Sequence, residues 1–173
     1  NIIFKKIYKL GKKYNLCFSG MHTLDILRLE KKFLHWGHDI TSENNPIESG
    51  LSFAVNFKKK ENFIGRDALE RIKVKPLETK LELFSLKDQC KPGKPLLLHD
   101  EPIYYKGKIV GETTSSNYSF CYDKSMIFGY IDSEIDIKNL NGGTFEVEVA
   151  KSKYTMSIQY EALHDPNNNF TKI

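Results

Sequence analysis

A glutamate on the apolar side of a helix is the residue of this chain best placed to do chemistry. Residues 23–34 read TLDILRLEKKFL. At ~100° per residue, Ile26, Leu27, Leu29, Phe33 and Leu34 fall on one arc, and Asp25, Arg28, Lys31 and Lys32 on the other. Glu30 projects into the middle of the apolar arc. A carboxylate there has to be paired, protonated, exposed in a pocket or bound to a ligand, because burying it unpaired costs several kcal/mol. In the plainer reading, Glu30 is partly exposed at the end of an element or paired with a buried cation. In the sharper one, it accepts hydrogen bonds from the N–H groups of a heterocycle.

Other candidates carry less. His35 and His38 flank Trp36-Gly37 at a spacing that could share a metal. No third ligand follows nearby and Gly37 signals a helix end, so no metal site is expected. The run Thr113-Thr114-Ser115-Ser116 reads more readily as a strand end or turn than as a hydroxyl-rich ligand loop. Cys17, Cys90 and Cys121 are far apart and odd in number; they fit neither zinc spacing nor a secreted disulfide framework. They read as buried or idle thiols of a reducing compartment, the cytoplasm or, in a eukaryote, the mitochondrial matrix. There is no glycine-rich phosphate loop and no Gly-x-Ser-x-Gly elbow. A net charge of +4, with one cluster at Lys58, Lys59 and Lys60, is too weak to predict a nucleic-acid partner. No apolar run approaches the ~18 residues of a membrane span.

The elements that must position Glu30 divide by texture. The chain has 173 residues, 40% of them hydrophobic, which predicts a packed core. Ile3, Phe4, Ile7 and Leu10 have helical spacing, and Gly11 is placed to end that helix. After the Glu30 helix comes a turn-rich loop, HDITSENNPIESG. Residues 51–57 alternate, with Leu51, Phe53, Val55 and Phe57 on one side, which predicts a half-buried strand. Phe63-Ile64-Gly65 leads into a short helix with Ala68, Leu69 and Ile72 inward. A boundary is expected at residues 74–77. Beyond it the runs KLELFSL, KPLLLH, PIYY, KIVGETT, YSFCY, MIFGYI, TFEVEVA and KYTMSIQY predict short strands of a barrel or sandwich. Lys106-Gly107 and Asn141-Gly142-Gly143 mark tight turns.

Five motifs then occur in a family order. They are Gly20-Met21 with Leu27-Arg28-Leu29-Glu30-Lys31; Trp36-Gly37-His38-Asp39-Ile40; Pro46-Ile47-Glu48-Ser49-Gly50-Leu51; Phe63-Ile64-Gly65-Arg66-Asp67-Ala68-Leu69; and Val110-Gly111-Glu112-Thr113-Thr114-Ser115 with Lys124-Ser125 and Gly129-Tyr130-Ile131. Glu161-Ala162-Leu163-His164-Asp165-Pro166 looks like the family's end. Across nearly the whole chain this resembles the glycine cleavage T-protein (aminomethyltransferase) family. Trp36-Gly37-His38-Asp39 with Lys31 looks most like the folate domain fused to dimethylglycine and sarcosine dehydrogenases.

The resemblance implies an α+β fold: the end of a ferredoxin-like, tetrahydrofolate-binding subdomain over 1–75, then a Greek-key or jelly-roll-like β-barrel over 76–173. It implies tetrahydrofolate as cofactor, with FAD only in an amino-terminal domain outside this chain, and capture of a one-carbon unit as 5,10-methylenetetrahydrofolate. Glu30 matches the family's pterin-binding glutamate; Lys59 matches a cation usually arginine in the T-protein; Phe170 is the only match for an aromatic residue near the end. The family's catalytic aspartate belongs to a preceding part. Asp25, on a polar helix face, and Asp39, in a loop, are poor substitutes, so no catalytic residue is expected here. The chain opens without Met or signal peptide, and reads as a fragment whose first half exposes apolar surface to the missing part of the same protein. The alternatives are a free-standing aminomethyltransferase, a folate-dependent methyltransferase or demethylase, or a non-enzymatic folate-binding protein of iron–sulfur assembly. The last typically carries a cysteine motif where this chain reads Lys60-Glu61-Asn62-Phe63-Ile64-Gly65-Arg66-Asp67.

Overall fold

From Thr79 onward the alternating runs form six antiparallel strands that close into a barrel. The computed structural model describes residues 1–86, 97–170 and 172. The strands are β1 (Thr79–Leu86), β2 (Pro102–Tyr105), β3 (Lys108–Ser119), β4 (Lys124–Asp132), β5 (Phe145–Val149) and β6 (Ser152–Ile158). Their order round the barrel is β1-β4-β3-β2-β5-β6, in which β1-β4-β3-β2 has Greek-key order. Closure leaves none of the described barrel strands with an open edge to protect. Inward residues of alternate positions, among them Phe84, Ile103, Ile127, Ile131, Phe145 and Val147, make the main core. Lys106 and Gly107 join β2 to β3 as a two-residue turn, both at positive φ (50° and 77°). Asn141 and Gly142 also form a tight turn, with the Gly143 N–H on the Leu140 carbonyl at 2.8 Å. The β5–β6 hairpin was not signalled: Ala150 and Lys151 take positive φ without glycine.

Two expected strands fuse. KIVGETT and YSFCY yield one strand, β3, and Phe120 to Asp123 become its turn into β4. A register shift between Thr113 and Ser115 leaves Thr114 as the extra residue of a bulge. Gly111 is needed on β3, because a Cβ there would lie 1.9 Å from the Tyr130 carbonyl oxygen. Of KPLLLH, the described residues Leu97, Leu98 and His99 lie outside any strand; the rest, and Cys90, fall outside the described residues.

The first part of the chain is helical and loop-like. It has α1 (Ile2–Gly11), α2 (Met21–Glu30) and α3 (Arg66–Lys73), with short 3₁₀ turns at Lys12–Tyr14 and Ser52–Ala54. Before Thr79 no strand forms among the described residues, only an isolated bridge between Trp36 and Ile40. The strand expected at 51–57 is therefore absent. Its alternation finds no partner, Phe53 stays 86% exposed, and Ala54 N–H turns back onto the Leu51 carbonyl at 2.9 Å. Helix α1 ends at Gly11 as expected, but Gly11 stays right-handed (φ −74°); the left-handed residue is Asn15 (φ 56°), which closes the 3₁₀ turn that follows. Gly11 instead allows Leu16 to fold back, since a Cβ there would meet Leu16 Cβ at 2.9 Å.

Helix α2 stops at Glu30 rather than running to Leu34. Lys32 takes φ 58°, its N–H reaches the Leu29 carbonyl at 3.0 Å, and Phe33 N–H reaches Arg28 at 2.8 Å. These are the two bonds of a Schellman stop, here made by lysine in place of glycine. The helix lies against the outside of β3 and β4, where Leu29 joins Leu83, Met126 and Phe128 in a second cluster. No helix among the described residues is long and apolar enough to cross a membrane.

Candidate functional site

Two carboxylates are buried where the helical part meets the barrel, and they are treated very differently. Asp39 is fully buried. Its Oδ2 accepts from Arg28 Nη1 at 2.6 Å and from the His35 N–H at 2.8 Å. Its Oδ1 accepts from the hydroxyls of Thr114, at 2.6 Å, and Ser115. Adjacent strand residues normally point to opposite faces; the bulge at Thr114 brings both hydroxyls to one carboxylate. Tyr130 adds a hydroxyl donor to the Asp39 backbone carbonyl at 3.0 Å. Asp39 is a saturated structural joint, and the Thr113–Ser116 run is mid-strand: Thr114 and Ser115 engage Asp39, while the Thr113 hydroxyl donates to Glu101 and that of Ser116 to the Leu98 carbonyl.

Glu30 is 4% exposed. Its Oε1 accepts from Ser119 Oγ at 2.6 Å. Among the described residues no other side chain bonds it, and no cation pairs with it. No buried side-chain nitrogen or oxygen among those residues lacks a partner. Oε2 must therefore reach an accessible edge. The placement adds to the need for donors, because Glu30 ends α2, where the helix presents its unpaired carbonyls and disfavours a negative charge. One backbone carbonyl is covered: His164 N–H donates to Glu30 O at 2.9 Å.

The residues after Glu30 fasten the terminal segment beside it. Lys31 Nζ donates to Asp165 Oδ2 at 2.9 Å and to its backbone carbonyl at 2.6 Å. Lys32 Nζ donates to the Tyr160 carbonyl at 2.9 Å. Asp165 also accepts from the N–H groups of Asn169 and Phe170. Burial alone would raise the Asp165 carboxyl, but the bond from Lys31 and those two N–H groups bring it below the usual carboxylate value. The wrap lays the Phe170 ring on His164, centroids 6.1 Å apart. A cavity of about 840 Å³ starts one residue past Glu30, lined by Lys31, Phe33, Leu51, Glu82, Phe128 and Asp165 among others. In it, burial pushes Glu82 up despite the nearby Lys32 and Lys80.

The remaining candidates are dispersed. Lys59 is exposed; its carbonyl accepts from Arg66 Nη1 at 2.9 Å, and Arg66 Nη2 reaches the Phe57 carbonyl at 2.8 Å. The planar fork of this loop is thus Arg66, spent on backbone. Phe170 is 73% exposed. Asp25 meets Arg28 at 3.5 Å. The rings of His35 and His38 lie 4.6 Å apart, and no group of three or more metal-ligating side chains forms among the described residues. Sequence reasoning missed Ser119, a lone serine at a strand end with nothing in its spacing to mark it.

A helical part docked on a closed six-stranded barrel is a known arrangement. The aminomethyltransferase T of the glycine cleavage system from Bartonella henselae has the same fold, with a TM-score of 0.77 over 94% of this chain and 44% of that one, at 20% identity. Two family descriptions match in sequence: the GCVT N-terminal domain at residues 1–59 and the glycine cleavage T-protein C-terminal barrel domain at 82–165. The chain belongs to the glycine cleavage T-protein family. It is 33% identical over 162 residues to rat mitochondrial dimethylglycine dehydrogenase, covering 93% of this chain, and 27% identical over 174 residues to human mitochondrial sarcosine dehydrogenase, covering 98%. It spans about 18% of the length of each.

Proposed function

We propose that the chain is the folate-handling part of a tetrahydrofolate-dependent enzyme that oxidises N-methylated glycine, dimethylglycine or sarcosine. The observation that carries this is Glu30, a buried carboxylate with one neutral donor and one oxygen still open. A pterin offers an exocyclic amino group and a ring N–H side by side, the donor pair such a carboxylate lacks. When bound, tetrahydrofolate supplies the two amine nitrogens that take up a one-carbon unit at the oxidation level of formaldehyde. Glu30 holds and orients the pterin end. The Lys31–Asp165 pair fixes the segment that flanks it. Lys59 and Phe170 enter the reading on the family resemblance. The amine would be oxidised by a flavin in another part of the protein.

The test is turnover of the full-length protein on dimethylglycine and on sarcosine, with free formaldehyde trapped. Tetrahydrofolate should suppress formaldehyde release while leaving amine oxidation nearly unchanged. Formaldehyde release that ignores tetrahydrofolate would reject the reading. Absence of amine-dependent electron transfer, with folate binding retained, would move the function to a plain aminomethyltransferase using the same site.

A further inference from the structure

Among the described residues Glu30 has one side-chain partner, and that partner comes from the barrel. Ser119 ends β3, immediately before the turn into β4. It is fully buried, so it cannot touch a ligand. A serine hydroxyl has a single proton and two lone pairs. Here the oxygen accepts the Tyr122 N–H at 3.1 Å, and the proton goes to Glu30 Oε1 at 2.6 Å. The turn thereby fixes the rotor of the hydroxyl, and the hydroxyl fixes which carboxylate oxygen faces inward. With Oε1 held by a neutral donor, Oε2 is left outward with its charge uncompensated. A lysine or arginine in place of Ser119 would neutralise Glu30 as Arg28 neutralises Asp39, and would leave a ligand little to gain.

We infer that Ser119 is a positioning residue of the ligand site, through which the β3–β4 turn of the barrel aims the Glu30 carboxylate at the ligand's N–H donors. This rests on reading Glu30 as the pterin-binding residue. The alternative role is purely structural: a bond that fastens α2 to the barrel and would be equally useful with any acceptor. The two differ in how the two residues couple. Residues that act through one another show non-additive losses, whereas a stability role adds to, or is absent from, the binding loss.

The experiment is a calorimetric titration of 5-formyltetrahydrofolate, a stable tetrahydrofolate, into the full-length protein. The variants are Ser119→Ala, Ser119→Cys, Glu30→Gln and the double variant Ser119→Ala with Glu30→Gln. Losing one charge-assisted bond behind the ligand should weaken binding by roughly tenfold in Ser119→Ala, and Glu30→Gln by roughly 30- to 1,000-fold. The double variant should match Glu30→Gln within about twofold, because the amide has no second acceptor oxygen for Ser119 to aim at the ligand. Ser119→Cys, nearly isosteric with a weak donor, should also lose affinity and decides the matter if the alanine variant does not fold. Wild-type affinity in the Ser119 variants, or a double loss equal to the product of the single ones, overturns the inference and leaves the Glu30 reading standing if Glu30→Gln is weakened. Wild-type affinity in Glu30→Gln removes both.

Discussion

Asp39 and Glu30 sit in one junction, are both buried, and are both anchored to β3, yet only one of them is finished. Asp39 has a cation, a backbone N–H and two hydroxyls. Glu30 has one hydroxyl and the wrong end of a helix. A buried charge whose donors are all supplied by the protein stabilises one arrangement of the chain, and breaking it is costly. A buried charge left short of donors stores a demand that a ligand can meet. The contrast separates the structural joint from the candidate site without reference to any relative.

The largest effect expected from breaking this contrast is on stability. Asp39→Asn puts a donor either against Arg28 and the His35 N–H or against the two hydroxyls, removes the charge that Arg28 pairs with, and should lower unfolding free energy by ~3–5 kcal/mol. Urea unfolding measures it, and a loss below ~1 kcal/mol would put Asp39 in the same class as Glu30. Next comes Tyr130→Phe. The Tyr130 hydroxyl donates to the Asp39 carbonyl and also lies 2.9 Å from Ser49 Oγ. Its removal should cost about 1–2 kcal/mol, read from the same curves. Glu30→Gln should change unfolding free energy by less than ~1 kcal/mol, because Ser119 keeps an acceptor and no cation is orphaned. A melting curve as damaged as that of Asp39→Asn would make Glu30 structural.

The smallest effects are in pH dependence, and they have opposite signs. Asp165 has its folded value depressed, so its contribution is present above the unfolded carboxyl value, about 4, and is lost as pH falls through the folded one. Asp165→Asn should therefore be less stable than wild type at neutral pH, the gap closing below about pH 4. Glu82 has its folded value raised, so ionising it works against folding. Its contribution is full below the unfolded value and lost as pH rises through the folded one. Glu82→Gln should be the more stable protein at neutral pH, the gain vanishing toward about pH 4. Melting temperatures across pH 3–8 decide both; parallel curves for wild type and variant would refute the corresponding shift.

The two parts of the chain were not equally legible. Alternation and turn dipeptides located β1, β2, β4, β5 and β6, because in a closed barrel the inward residues of each strand must be apolar whatever the partner. The bulge was not legible: Thr113-Thr114-Ser115-Ser116 announces hydroxyls but not the extra residue that swings Thr114 and Ser115 together onto Asp39. In the helical part, periodicity found α2 but overran its end, because a left-handed lysine is an improbable stop. The alternation of residues 51–57 predicted a strand, and local sequence cannot show whether a neighbouring strand exists to pair with it. Glu30 was visible as an anomaly in an apolar arc. The described residues before Leu83 fully bury a single large apolar side chain, Leu29, while Ile3, Phe4, Phe18, Leu27, Phe33 and Trp36 stay exposed. The arc that made Glu30 conspicuous is thus only partly covered, and the groups that bond Glu30 from the barrel and the terminal segment, the Ser119 hydroxyl and the His164 N–H, lie 89 and more residues away in sequence.

The most direct measurement is the affinity of the full-length protein for tetrahydrofolate, wild type against Glu30→Gln, with the melting curve of each taken on the same preparation. The account predicts a loss of roughly 30- to 1,000-fold in affinity with the melting curve nearly unmoved. Equal affinity in the two proteins would contradict it, and would return Glu30 to the role that Asp39 plays.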